Sequence, residues 1–252
     1  MGKVIAITSG KGGTGKTTVA AAISSCLAVL GHRTLCIDFD AQLKNLDLAL
    51  GMTDFAVKDF MDVVSGDLDI MAACTESPMI PNLFFLSAPT SEIPENVDVG
   101  KFKAMFNDIR ENFDFCFIDT PAGIGSGFRL AHTDVDMSII VTTCDSASMR
   151  DANRTASAVR SFGNEELSLR LIVNRVLPKN LKIIKTNIDD TIDTVGVQLL
   201  GIIPEDKYMF RALHDNVPLI LYKRRLSAHD FLDAARRIAG EDIPLHQSKW
   251  LR

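Results

Sequence analysis

The sequence predicts an α/β fold, a doubly wound and mostly parallel sheet with helices on both faces, and three observations carry that prediction. Short apolar runs rich in β-branched and aromatic residues recur along the chain, as strands buried on both faces require. Helix-length amphipathic stretches separate most of them, which is what right-handed crossovers between parallel strands need. A glycine-rich loop, "SGKGGTGKTT" at residues 9–18, joins the first apolar run directly to the first helical stretch.

Taken in order, "VIAIT" (4–8) reads as the first strand and "KTTVAAAISSCLAVLG" as the first helix, closed by Gly31 at its C-cap. "TLCIDF" (34–39) is the second strand. From Ala41 to Pro81 the rhythm breaks. "LKNLDLALG" and "VKDFMDVVSG" are short helical candidates and no clear strand precedes residue 83, which predicts a helical excursion at the sheet's edge. "LFFLS" (83–87), "FCFID" (115–119) and "MSIIVTT" (137–143) resume the strands, with "KFKAMFNDIRENF" as a helix between the first two. "SASMRDANRTASAVRSFG" is a helix ending at Gly163, followed by strands "LRLIVN" (169–174) and "LLGII" (199–203). The closing helix, "LSAHDFLDAARRIAG", ends at Gly240 and sets Leu226, Phe231, Leu232, Ala235 and Ile238 against the sheet. There is no repeat, low-complexity tract or linker, so residues 1–245 are expected to form one domain with a short tail, 246–252, after it.

With 252 residues, 46% apolar and 23% charged, the chain can bury a sizeable core. No apolar run reaches the ~18 residues that would span a bilayer, and Met1 leads straight into a strand without a leader pattern, so the expected location is the cytoplasm. Five cysteines, Cys26, Cys36, Cys74, Cys116 and Cys144, are widely spaced and form no C-x-x-C pair, which reads as reduced thiols and not as a metal centre. The net charge of −5 is uneven: residues 1–149 hold 10 Lys and Arg against 19 Asp and Glu, and residues 150–252 hold 17 against 13. The second half could therefore face an anionic surface, although ordinary scatter explains the difference equally well.

Gly10 to Thr17 matches G-x-x-x-x-G-K-[ST] in full, after a strand and before a helix, the context in which the pattern binds phosphate. Backbone N–H groups of Gly10, Lys11, Gly12, Gly13, Thr14 and Gly15, with the helix start at Lys16, Thr17 and Thr18, would surround phosphates with donors. Lys16 would meet the β and γ phosphates and the Thr17 hydroxyl would meet Mg²⁺. Asp119 closes a buried strand and is placed for a Mg²⁺-associated carboxylate. Gly123, in the "DTPAG" turn that follows, can offer an N–H to a terminal phosphate. Asp38 and Asp40 end the second strand two residues apart and so on the same side of it. One suits holding Mg²⁺ through water and the other suits orienting an attacking water.

"KGGTGKTT", "DFDAQLKNLDLALG", "FIDTPAGI", "SMRDANR", "IVNR" and "GIIPED" occur in an order and spacing that resemble the MinD/ParA family of deviant Walker A ATPases, its MinD branch most, over residues 1 to about 245. The resemblance implies a P-loop NTPase of the SIMIBI type with ATP and Mg²⁺ as cofactors. It implies that Lys11 reaches the partner's nucleotide across an ATP-dependent homodimer, that Asp40 positions water, that Asn174 contacts adenine and that Pro204, Glu205 and Asp206 pack along the base. Lys44, Asn45 and Asp151 fall in segments that form the dimer or regulator surface. The catalytic set is then Lys11, Lys16 and Asp40, and the metal set Thr17, Asp38 and Asp119. No N-K-x-D guanine motif accompanies Asn174, which favours ATP. The implied activity is slow, partner-stimulated ATP hydrolysis in the placement of the division site, with an activator or a division inhibitor as partner.

Two relatives of other function compete: a ParA-like partition ATPase working on non-specific DNA, and a flagellar-number or metallocentre-maturation ATPase. "DFDAQLKNLDLALG" favours the MinD branch. "YKRR" (222–225) is the single basic cluster available for DNA, so no sequence-specific nucleic acid is expected. Of the ending "GEDIPLHQSKWLR", Lys249, Trp250, Leu251 and Arg252 resemble a membrane anchor but are too few for an amphipathic turn, which predicts at most weak binding to the inner face of the membrane.

Overall fold

In the computed structural model, residues 1–53, 55, 58–90, 98–164, 166–177, 179, 188–222 and 227–245 are described. Eight strands build one sheet: β1 Lys3–Thr8, β2 Thr34–Asp38, β3 Thr75–Glu76, β4 Leu83–Leu86, β5 Phe115–Asp119, β6 Met137–Thr142, β7 Ser168–Val176 and β8 Leu199–Pro204. Their order is β3-β4-β2-β5-β1-β6-β7-β8. All neighbours are parallel except β3, which runs antiparallel to β4. The helices among the described residues are α1 Lys16–Val29, α2 Leu46–Leu50, α3 Phe60–Ser65, α4 Ile70–Ala73, α5 Val99–Asn112, α6 Ser126–Ala131, α7 Ser146–Arg160, α8 Ile188–Val195, α9 Lys207–His214 and α10 Ala228–Ile238, with a 3-10 turn at Leu219–Leu221.

The seven strands expected from sequence are all present within a residue or two, and β3 is an addition. It is two residues long, too short to show an alternation. The stretch from Ala41 to Pro81 carries α2, α3 and α4 and reaches the sheet's edge, as expected, with β3 near its end. Gly31, Gly163 and Gly240 sit just past α1, α7 and α10 at φ of +97°, +71° and +98°, the left-handed conformation that favours glycine after a helix. Leu226, assigned from sequence to the last helix, lies outside the described residues, as do Lys223, Arg224, Arg225 and the tail 246–252.

Alternate residues of each strand feed the two faces. On one face Ile5, Ile7, Phe117, Ile139 and Ile172 pack under α1 and α10. α1 has its residues buried on every side because it is enclosed by the sheet, α2 and α10. The small side chains of Ala20, Ala21, Ala22, Ser24 and Ser25 let those neighbours approach. The opposite face holds Phe39, Phe60, Phe102 and Phe106 with α3 and α5, Phe39 and Phe60 stacked at 4.3 Å between ring centres. Arg110 fastens the N-terminal ends of the strands by binding Asp134 (2.8 Å) and Asp136, which also accepts from the Val4 N–H. The five cysteines are free thiols; Cys26, Cys36 and Cys116 are buried in these cores.

The chain enters at the middle of the sheet, passes through β2 to the edge strand β3, returns through β4 and β5, and leaves the other way through β6, β7 and β8. The direction reverses around β1, so the carboxyl ends of β1, β2 and β5 border the crevice where such sheets bind ligands.

Candidate functional site

The loop between β1 and α1 is shaped by what glycine permits. Gly13 and Gly15 have φ of +82° and +93°, conformations that strain any side chain. At Gly15 a Cβ would also strike the Asn174 amide, and at Gly10 it would lie 2.5 Å from the Asp151 carbonyl oxygen in the second turn of α7. Gly15 caps α1 without a side-chain acceptor, and no acidic residue occupies its first turn. The first N–H groups of the helix are thus left for an anion, with the positive end of the helix dipole behind them. Lys16, the first helical residue, is buried. Asn174 Nδ2 donates to the Thr14 carbonyl at 2.8 Å and holds the loop from β7.

Asp38 and Asp119 end β2 and β5 in direct register, both 2% exposed. Burial, and next the Asp119 charge, pushes the Asp38 carboxyl up to about 7. Burial raises Asp119 to about 6, against a hydrogen bond from Thr17 and the charge of Lys16, which lower it. Two buried acids side by side with raised pKa values want a cation. Asp119 Oδ1 is buried without a hydrogen-bond partner, an orphan that a bound cation or its water would satisfy. Asp38 instead accepts from the N–H groups of Asp40 (2.8 Å) and Leu46 (3.4 Å), so its oxygens are already held. The donor set of Thr17 and Asp119, with Asp38 behind them, therefore fits Mg²⁺, an oxygen-seeking ion that keeps most of its waters.

A cleft of about 570 Å³ opens above these groups. Gly12, Gly13, Gly15, Lys16, Thr17, Thr18, Asp40, Asp119, Asn174, Pro204, Glu205 and Asp206 line it, which brings most of the residues expected from sequence into one place. Asn45 lines it as well. Others stand apart. Gly10, Thr14 and Asp38 do not line it, although Thr14 lines the groove that contains Lys11. Gly123 has φ of +86° and its N–H donates to the Ser9 carbonyl at 3.2 Å, so in this conformation that donor is turned to the chain and not into the cleft. Asp206 borders the cleft, yet its carboxylate caps α9 at Tyr208 N (2.9 Å) and accepts from both the N–H and the hydroxyl of Ser227 (3.0 Å each). Its carboxylate is thus engaged within the chain at the border of the cleft.

Lys11 is exposed on the far side of the loop, in a second groove of about 370 Å³ with Thr143, Asp145, Ser148, Arg175 and Glu205. Burial would raise Asp145, but hydrogen bonds from Thr143 and Ser148 and the charge of Lys11 bring it down to about 2. Lys44 and Asp151 do not line the cleft; Lys44 has φ of +43°, and Asp151 pairs with Arg154 at 3.7 Å. Sequence reasoning missed Arg175, Leu48, Met209 and Phe210, which also line the cleft. The signal for Arg175 was its place after Asn174 in "IVNR", which was read only for the asparagine.

A family model described as an AAA domain matches residues 2–173. The septum site-determining protein MinD of Thermotoga maritima is 35% identical over 248 residues, 97% of this chain and 91% of that protein. A solved chain of the MinC:MinD cell division protein complex of Aquifex aeolicus superposes with a TM-score of 0.88 at 33% identity, covering 97% of this chain and 98% of its own. The septum site-determining protein MinD of Pyrococcus horikoshii, solved in complex with Mg-ADP, gives 0.81 at 28% identity over 94% and 96% of the two chains.

Proposed function

This chain belongs to the MinD/ParA family of P-loop ATPases, and from that premise we propose that it is a MinD-like regulator of division-site placement, switched by the ATP that it binds and hydrolyses. The observation that carries the reading is the division of the two loop lysines: Lys16 is buried in the cleft, and Lys11 is exposed in a groove on the other side of the same loop. One lysine is placed for the molecule's own nucleotide. The other faces outward, toward a nucleotide held by a second copy.

In this reading the triphosphate lies along the loop from Gly10 to Thr18, with Lys16 balancing the charge of its β and γ phosphates. The Thr17 hydroxyl and Asp119, with Asp38 behind them, would hold Mg²⁺, which would supply neutralisation of the phosphate charge. Asp40 lies in the cleft, half-buried, and accepts from the Leu43 N–H at 3.2 Å, and in this reading its carboxylate positions the attacking water. Asn174 and the Pro204–Glu205 edge hold adenine, and Gly123 releases Ser9 when a γ-phosphate offers a better acceptor. Phosphoryl transfer asks for this positioning and charge balance more than for covalent chemistry. Hydrolysis removes the phosphate that Lys11 of each copy would hold across the interface, so the pair separates.

The Aquifex structure contains MinC with MinD, and by analogy the dimer would dock a division inhibitor or an activator, with Lys44, Asn45 and Asp151 as candidates for that surface. Among the described residues no helix is long and apolar enough to cross a membrane. Membrane contact is assigned to the tail, 246–252, weak in one copy and strengthened by pairing through effective concentration. The test is affinity for Mg·ATP in the folded Lys16→Ala variant: collapse supports the assignment of the loop, and unchanged affinity removes it.

A further inference from the structure

β7 becomes irregular where it meets the phosphate loop. Its pairing with β8 shifts register between Val173 and Val176, and Arg175 within that stretch has φ of +55°. A non-glycine residue keeps this left-handed conformation only where its surroundings hold it, and such residues gather at functional sites. The irregularity aims two successive side chains at two successive carbonyls of the loop: Asn174 Nδ2 reaches Thr14 at 2.8 Å and Arg175 Nη1 reaches Gly13 at 3.1 Å. The rest of the guanidinium grips Glu205 with two bonds, Nε to Oε2 at 2.8 Å and Nη2 to Oε1 at 3.3 Å. Glu205 is itself fixed by its N–H on the Val176 carbonyl at 3.1 Å. Both residues line the cleft and also the groove that contains Lys11.

An exposed ion pair is ordinarily worth little. This one is bidentate and shares its guanidinium with a backbone carbonyl, so it fixes geometry in a way a lone contact does not. We propose that the Arg175–Glu205 pair is a strut coupling the base end of the cleft to the phosphate loop, which makes Arg175 a positioning residue for the bound nucleotide. This rests on the reading that a base lies along Pro204 to Asp206. Asn174 holds the Thr14 carbonyl whether or not the base end is filled, so the loop keeps its shape without Arg175. The strut adds communication: a base settled against Glu205 restrains Arg175, and through it the Gly13 peptide and the turn leading back to Lys11.

The experiment is isothermal titration of Mg·ADP, which fills both ends, and of Mg·tripolyphosphate, which has no base, into the full chain and its Arg175→Ala, Glu205→Gln and doubly substituted variants. Each single variant is expected to bind Mg·ADP about tenfold more weakly, with the double variant no weaker than the worse single one, since coupled residues do not add. Mg·tripolyphosphate is expected to hold within about twofold throughout, because no base is present to use the strut. Arg175→Lys, which keeps the charge and loses the fork, should recover little of the loss. Unchanged Mg·ADP affinity in Arg175→Ala, additive losses, or equal losses for both ligands would overturn the strut. So would a lower melting temperature in ligand-free variants whose folded fraction binds normally. A parent protein that binds neither ligand, or a Lys16→Ala variant that binds both as well as the parent, would instead overturn the nucleotide reading, and the strut with it.

Discussion

Lys16 and Asp40 line the cleft and Lys11 the neighbouring groove, and in the proposed function each governs a separate step. Lys16→Ala should lower Mg·ATP affinity by at least about a hundredfold, because a buried cation that meets two phosphates is lost. Asp40→Ala should leave nucleotide binding nearly intact and reduce hydrolysis by about a hundredfold or more, the scale on which water positioning operates. A phosphate-release assay beside a binding titration separates the two. His132 answers to pH instead. It is 7% exposed, with Nδ1 2.7 Å from the Phe128 carbonyl and Nε2 3.0 Å from Ser138 Oγ. Burial lowers its pKa from 6.5 to about 4. The unfolded chain takes up this proton near pH 6.5 while the folded chain refuses it until about 4, so stability from this site is complete above 6.5 and is lost as pH falls. At pH 5 the loss is about 2 kcal/mol. Asp38 and Asp119, with raised pKa values, act in the opposite sense over an overlapping range. The melting temperature of His132→Gln should therefore approach or overtake that of the parent between pH 7.5 and 5, and a constant difference would contradict the assignment. Individual positions were legible in sequence when spacing marked them, as for Lys16, Asp38 and Asp119, which the fold brings to one end of the sheet. They were not when the role depended on who sat opposite: Asp206 reads as a site acid and is committed to Ser227, and Arg175 gains its meaning from Glu205.

Strands were easier to read than helices because burial on both faces makes them continuously apolar, with little for a neighbour to disguise. Four helices among the described residues were missed by sequence, and α4, with four residues, is a single turn too short to show a period; the other three each have a reason. α6, "SGFRLA", has a glycine at its second position and only six residues. α8, "IDDTIDTV", is short and rich in β-branched residues that suit a strand equally well. α9, "KYMFRALH", leaves Phe210 79% exposed, which blurs the apolar stripe. What fixes α9 is its start, where Asp206 caps the first turn and ties it to the segment before α10. Asp206→Ala should lower stability by about 2 kcal/mol, because a cap and two buried partners at Ser227 are lost together. The denaturation midpoint measures this, and Asp206→Asn, which can still accept at the cap, should recover part of it. α1 is constrained differently, by enclosure. Ala21 is 3% exposed between neighbours, so Ala21→Leu should cost about 1–3 kcal/mol through overpacking and disturb the helix start that holds Lys16.

Across the whole molecule the doubly wound sheet makes the site a consequence of topology. The chain reverses its winding direction at β1, and the loop that leaves β1 meets the carboxyl ends of β2, β5 and β7 there. The strands deliver Asp38, Asp119 and Asn174 to one rim, and the glycines of the loop let the backbone close on whatever lies among them. The same rim places Lys11 outside the cleft, in a groove whose acidic residues, among the described residues, are Asp145 and Glu205. In the proposed function this lysine is completed by a second molecule. Size-exclusion chromatography with light scattering on Asp40→Ala in Mg·ATP tests it, set beside the same protein in Mg·ADP and beside Lys11→Ala/Asp40→Ala in Mg·ATP. A dimer is expected for Asp40→Ala in Mg·ATP and monomers in the other two samples, with Mg·ATP still bound by the Lys11 variant. A Lys11→Ala/Asp40→Ala protein that dimerises as readily as Asp40→Ala, or an Asp40→Ala protein saturated with Mg·ATP that stays monomeric, would contradict it.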